Sequence, residues 1–156
     1  MKALVVYFSA SGVTAGLAKR LSDVLHAPLY EIQPAVPYTQ ADLDWTNKQS
    51  RSTLEMSDKD CRPALKDTSA PVQDADVIFV GFPVWWYREP SIIDSFLAAY
   101  SFAGKKLVPF ATSGSSDIGQ EAPERFRAIT GAEVLPGKRF AAGAAEAELK
   151  AWAEQF

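Results

Sequence analysis

The sequence predicts an α/β fold, a doubly wound parallel sheet of five strands with helices on both faces. Two observations predict it. Short apolar runs rich in β-branched residues alternate with segments of helical period, the pattern of strand-helix-strand units with right-handed connections. The runs, such as Val77-Ile78-Phe79-Val80, are apolar throughout instead of alternating with polar residues, as strands buried on both faces are.

Each element can be justified in order. Ala3 to Phe8 is β-branched, aromatic and too short for a helix, so it reads as the first strand. Leu17, Ala18, Leu21, Val24 and Leu25 share one face of a helix that starts near Val13 and stops before Pro28, which leaves the lone His26 at its end. Leu29 to Ile32 is a short second strand, closed by Pro34 and Pro37. Residues 34–73 are polar and interrupted by prolines, with a short helix around Asn47 to Met56 and no strong apolar face. A long irregular stretch in a compact chain is usually functional, so this one reads as a reduced crossover plus a surface loop that could cover a ligand.

Asp74 to Phe82 is the third strand. Pro90 suits the first turn of the next helix, whose Ile92, Ile93, Phe96, Leu97 and Tyr100 form one face and which Gly104 ends. Leu107 to Thr112 is a fourth strand, and Pro109 predicts a local irregularity there because it cannot donate to the ladder. A helix then runs to about Thr130 and is stopped by Gly131. Ala132 to Leu135 and Arg139 to Ala141 supply a broken fifth strand. Leu149, Trp152, Ala153 and Phe156 share a face of the closing helix, with Glu146 and Glu148 at its positive end.

The 156 residues suit a single domain, 1–156. With 47% hydrophobic and 22% charged residues the composition is that of a globular chain, and a net charge of −3 argues against nucleic acid as a partner. The one cysteine, Cys61, cannot form an internal disulfide and reads as an inert thiol in a reducing compartment. Ala3 to Phe8 is shorter than the apolar region of a secretory signal and has no cleavage site after it, and the longest apolar stretch elsewhere, Val77 to Trp86, is broken by Gly81 and Pro83, well short of the ~20 residues that span a bilayer. A cytoplasmic protein with no membrane span and no metal site is expected.

Three loops leave the C-terminal ends of strands, where such sheets bind ligands. The first, Ser9 to Thr14, wraps the start of a helix with the Ser9, Ser11 and Thr14 hydroxyls around Gly12. A helix N-terminus carries unpaired N–H groups and about half a positive charge, so the loop suits a phosphate, held without any lysine or arginine. An ordinary turn with a serine cap remains the alternative at this point. The second loop, Pro83-Val84-Trp85-Trp86-Tyr87, offers aromatic faces, and the third, Thr112 to Ser116, offers small residues through which backbone N–H groups can reach a flat polar ring. A phosphate at one end and a planar ring at the other describe flavin mononucleotide (FMN). Neighbouring residues of an extended chain point opposite ways, so one of Trp85 and Trp86 should face the ring while the other packs inward or shields its edge.

At these loops the chain resembles the flavodoxin family over essentially its whole length. The first loop is similar to the family's phosphate loop, and Ala41-Asp42-Leu43-Asp44-Trp45, Ser50-Arg51, Gly81 to Tyr87 and Pro109 to Gly114 look like the short flavodoxin-like proteins of bacteria. The resemblance implies a flavodoxin-like sheet of order 2-1-3-4-5. It implies that Ser9, Ser11, Gly12, Val13 and Thr14 surround the FMN phosphate. It also implies that Pro83, Val84, Trp85, Trp86 and Tyr87 run along the isoalloxazine, with Thr112, Ser113 and Gly114 on its pyrimidine edge. Ser11 stands where threonine is usual and Val13 where asparagine is usual, so one side-chain donor is missing. Arg51, Asp42 and Asp44 form either a lid or salt bridges that hold the long loop, and the structural role is the expected one.

Two functions follow from the resemblance. One is an electron carrier that docks redox partner proteins; with no lysine or arginine foreseen on the pyrimidine edge, its flavin potential should be low. The alternative is an FMN-dependent reductase of a small conjugated acceptor such as a quinone, fed by NAD(P)H or a partner reductase, with residues 34–73 building a pocket. Other users of this sheet lack their marks here. Tyr7-Phe8-Ser9 and Pro83-Val84-Trp85 replace the aspartates of a phospho-receiver, no cysteine lies in the first loop for a low-molecular-weight phosphatase, and neither G-x-G-x-x-G nor Gly-Lys-Ser/Thr is present.

Overall fold

The computed structural model describes residues 2–113, 118 and 121–156. Along them run β1 (Ala3–Tyr7), α1 (Val13–Leu25), β2 (Leu29–Glu31), α2 (Arg51–Ser57), β3 (Val77–Pro83) and α3 (Ser91–Ala99). After these come β4 (Lys106–Thr112), α4 (Glu121–Thr130), β5 (Glu133–Val134), β6 (Lys138–Phe140) and α5 (Glu146–Ala153). The sheet has the expected order β2-β1-β3-β4-β5 and all its pairings are parallel.

Alternation along the strands divides the core between two faces. Val6, Phe8, Ile78, Val80 and Phe82 point to one face, where Ile92, Ile93 and Phe96 of α3 and Phe126 of α4 cover them. Val5, Phe79, Val108 and Phe110 point to the other, under Leu17 and Leu21 of α1 and Leu149 and Trp152 of α5. Both faces are dry, which is why the strands read as continuous apolar runs. Gly81 leaves room for its register partner Phe110: a Cβ at Gly81 would lie 2.3 Å from the ring.

β4 runs unbroken through Pro109, where an irregularity was expected; the break falls in the next strand. On that side of β4, β5 pairs with Lys106 and Leu107, while β6 pairs with Phe110 to Thr112. The proline that cannot donate lies in the gap, and the chain between the two short strands presses on it at Gly137, where a Cβ would sit 2.6 Å from the Pro109 carbonyl oxygen.

Several boundaries move. Asp74 belongs to a 3-10 turn, Val72–Asp74, before β3, and the short helix of the crossover is Arg51–Ser57, preceded by turns. Gly104 does not end α3: Tyr100 is already extended, and its ring packs on Phe96 with centroids 4.9 Å apart. Gly104, with φ 75°, instead turns the chain toward β4. His26 closes α1 in the left-handed conformation, φ 52°, with its N–H on the Asp23 carbonyl. Among the described residues no helix is long and apolar enough to cross a membrane.

Candidate functional site

The three loops meet at the C-terminal edge of the sheet, and Thr112 joins them. Its hydroxyl lies 2.8 Å from that of Thr14, with both residues buried, and its carbonyl accepts the Val84 N–H at 3.2 Å. Ser113 continues the third loop; Gly114 lies outside the described residues.

In the first loop Ser9 Oγ accepts the Gly12 N–H at 3.0 Å, which bends the chain into the start of α1. Gly12 holds φ 93°, a conformation that favours glycine, and a Cβ there would meet no protein atom within 4 Å. Open space therefore lies over the loop. No side chain caps α1 and no acid stands in its first turn, so its positive end is uncompensated. Ser11 and Val13 are exposed beside it. The arrangement can hold an anion on backbone N–H groups and hydroxyls.

The second loop is a two-residue hairpin turn. Trp85 and Arg88 exchange both backbone hydrogen bonds, at 3.0 and 3.1 Å, and the residues between them have positive φ, 47° at Trp86 and 67° at Tyr87. Such turns favour Asn-Gly because left-handed backbone strains larger side chains. Here two large aromatic residues occupy it, at a cost of about 1–3 kcal/mol each. Trp85 packs inward, edge-on to Phe8 and Tyr38 at 5.7 Å each, whereas Trp86 is 41% and Tyr87 76% exposed.

A cavity of about 570 Å³ opens between these loops, lined by Ala10 and Ser11 and by Pro83 to Tyr87. Leu43, Trp45 and Ser52 of the long crossover complete it, none of them among the residues expected to touch the ligand. A tryptophan in a polar, proline-punctuated stretch with no apolar face is the signal that could have found that wall. The crossover is fixed from behind. Arg51 donates to Glu55 at 3.1 Å and to the Val36 carbonyl at 2.7 Å, lies 3.8 Å from Asp42, and stacks over the Tyr38 ring at 3.9 Å. Arg51 and Asp42 therefore hold the loop, as the structural reading expected. Asp44 accepts from both the side chain and the backbone of Thr46, which keeps its carboxyl below the ordinary range.

A cation stands at the third loop: Arg139 donates to the Ser113 carbonyl at 3.0 Å and to its hydroxyl at 3.3 Å. β6 runs beside the end of β4, with Arg139 in register with Ala111, and that pairing brings the guanidinium there.

Beneath the turn lies a buried ionic cluster. Arg88 donates to the Glu89 and Met56 carbonyls and lies 3.5 Å from Asp94. Arg125 contacts Glu89 at 2.9 Å and Asp94 at 2.5 Å, and Glu89 and Asp94 are fully buried. Burial and the neighbouring Asp94 push the Glu89 carboxyl up to about 9. The Cys61 thiol is pushed up by partial burial and by Glu55 and Asp58, which fits an inert role. Among the described residues no group of histidine, cysteine and carboxylate side chains could hold a metal ion.

A family model described as Flavodoxin matches residues 2–156. The structure of a candidate flavoprotein from Bacteroides eggerthii is 42% identical and superposes with a TM-score of 0.92, covering 99% of this chain and 96% of that one. One from Bacteroides uniformis is 44% identical, with a TM-score of 0.91 over 98% and 97% of the two chains. A Lactobacillus acidophilus flavoprotein in complex with FMN shares the fold at 20% identity, with a TM-score of 0.72 over 97% and 98%. No curated protein matches the chain.

Proposed function

This chain belongs to the flavodoxin family, and on that ground we propose that it works as one flavodoxin-like domain, 1–156, which binds FMN and carries electrons between redox partners in the cytoplasm. FMN is the cofactor. The residues present fit it: an uncompensated helix N-terminus under open space at Gly12 suits the phosphate, and an uncharged aromatic cavity adjoins it.

The observation that carries the reading is the junction at Thr112, which ties the Ser9–Thr14 loop, the aromatic turn and the small-residue loop together. Ser9, Ser11, Gly12, Val13 and Thr14 would hold the phosphate through N–H groups and hydroxyls, Val13 contributing only its backbone. Pro83, Val84, Trp85, Trp86 and Tyr87 would flank the ring and exclude water from one side. Thr112, Ser113 and Gly114 would donate to its polar edge, with Arg139 holding Ser113 in place. FMN supplies one- and two-electron transfer; the protein sets its orientation and surroundings.

The visible spectrum after adding FMN and removing the excess tests this. A retained, perturbed flavin spectrum is expected, and a colourless protein overturns the reading. A second reading, reduction of a small conjugated acceptor, is favoured by one observation: the crossover builds the far wall of a roomy cavity.

A further inference from the structure

We propose that Arg88 is the positioning residue of this site: it holds the aromatic turn in its strained shape and fixes the crossover to it, so that both walls of the cavity are set before a ligand enters. The inference rests on the FMN reading and names the residue through which the fold prepares the ring site.

The turn needs an outside hold. Trp86 and Tyr87 are both left-handed, at φ 47° and 67°, and such residues persist only where the surroundings over-determine them. Both side chains are exposed and supply little of that restraint. The chain leaving the turn is gripped instead. Arg88 and Glu89 are 3% and 0% exposed, and the Arg88 N–H and carbonyl both pair with Trp85 to close the turn.

The Arg88 side chain reaches the opposite wall. Its guanidinium donates to the Glu89 carbonyl at 3.0 Å and to the Met56 carbonyl at 3.3 Å, and lies 3.5 Å from the Asp94 carboxylate of α3. Met56 belongs to α2, the helix of the crossover that also carries the wall residue Ser52. The Ser52 N–H donates to the Asp42 carbonyl at 3.0 Å, which continues the connection to the segment of Leu43 and Trp45. Ser91, at the start of α3, adds a parallel tie, its hydroxyl donating to the Glu55 carbonyl at 3.3 Å. One buried residue therefore bonds to the turn through its backbone and to the crossover through its side chain.

Burying a guanidinium costs free energy that an apolar side chain of the same volume would not. What the apolar side chain lacks is a planar fork of donors that spans two carbonyls. Without the fork, a smaller fraction of the apoprotein has both walls in place, and apparent affinity falls by that fraction.

The test compares wild type with Arg88→Lys, which keeps a positive charge beside Asp94 but loses the fork. Apoprotein is titrated with FMN, and the visible circular dichroism of the flavin is recorded at saturating FMN, where mass action restores a fold that has merely lost stability. Arg88→Lys should bind FMN about tenfold more weakly and give an altered flavin dichroism at saturation. Trp152→Leu, in the core on the other face of the sheet, should lower stability yet leave FMN affinity within about twofold and the dichroism as in wild type. Asparagine tolerates positive φ, so in a Tyr87→Asn background the cost of Arg88→Lys should shrink to about threefold. Wild-type affinity and dichroism in Arg88→Lys, equal losses in Trp152→Leu, or an equal cost of Arg88→Lys in both backgrounds overturns the inference. If Arg88→Lys alone does not fold, the double variant is compared with Tyr87→Asn, and unchanged affinity and dichroism there overturn it. Wild-type protein that retains no FMN overturns the cofactor reading, whereas FMN bound equally well by wild type and Arg88→Lys overturns only this inference.

Discussion

Thr112 uses two of its polar groups on two different loops, the hydroxyl on Thr14 and the carbonyl on Val84. With Thr112 donating its hydroxyl to Thr14 Oγ1, the Thr14 O–H is left to donate to a phosphate oxygen. Thr14→Ala removes that donor and also strips a partner from the buried Thr112 hydroxyl. Hydrogen bonds to charged groups are worth about 1.5–3 kcal/mol, so FMN affinity should fall roughly tenfold or more. Thr14→Ser, which keeps the hydroxyl, should stay within about threefold of wild type. Titration of the apoprotein with FMN, read by flavin fluorescence, checks both, and unchanged affinity in the alanine variant would remove Thr14 from the site. At Tyr87 the argument runs through backbone strain. Asparagine tolerates positive φ, and little packing is lost from a side chain 76% exposed, so Tyr87→Asn should raise stability by about 1 kcal/mol in chemical denaturation.

At the scale of elements, β3 and β4 carry the site because both end beneath it, and Gly81 sets how closely they pack. A methyl group there would need the Phe110 ring to move, since three of its carbons lie within 3.0 Å of the Cβ position, inside a core shared with Trp152. Gly81→Ala should cost about 1–3 kcal/mol by overpacking, measured as a lower denaturation midpoint with an unchanged slope. Gly81→Ala with Phe110→Leu should recover part of it; no loss in the single variant would contradict the contact. These strands were legible in the sequence because burial on both faces leaves an unbroken apolar run, although the irregularity expected in β4 at Pro109 falls instead between β5 and β6. The end of α3 was not legible. The Tyr100 ring packs on Phe96 from an extended backbone almost where a helical residue would have put it, so helical period alone could not reveal that the helix had stopped.

Across the whole molecule, what escaped the sequence is what long-range contacts decide. The position of loops at strand ends is local, so the three loops could be placed from their own residues, whereas the left-handed turn at Trp86 and Tyr87, where an extended chain was expected, could not. Trp45 in the cavity wall, Arg139 on Ser113 and the cluster of Arg88, Glu89, Asp94 and Arg125 depend on partners distant in sequence, which no periodicity records. That cluster also has a consequence for the entire fold. Glu89 and Asp94 are both fully buried, each has one carboxyl oxygen with no hydrogen-bond donor, and Arg125 serves both while Arg88 and Arg62 approach only Asp94, at 3.5 and 3.8 Å. A proton on Glu89, shared with Asp94, supplies the missing donor, in keeping with a carboxyl pushed up to about 9 from its ordinary 4.5. Between those two values the folded protein holds a proton that the unfolded chain has lost, so raising the pH through this window favours unfolding, by at most about 1.4 kcal/mol per pH unit. Glu89→Gln keeps the shape and a permanent donor and removes the titration. Scanning calorimetry at pH 5, 7 and 9 should therefore show the wild-type Tm falling as pH rises and a flatter profile for the variant, with the two curves diverging most at pH 9. Parallel curves would mean that Glu89 is ionised throughout and that Arg125 alone balances its charge.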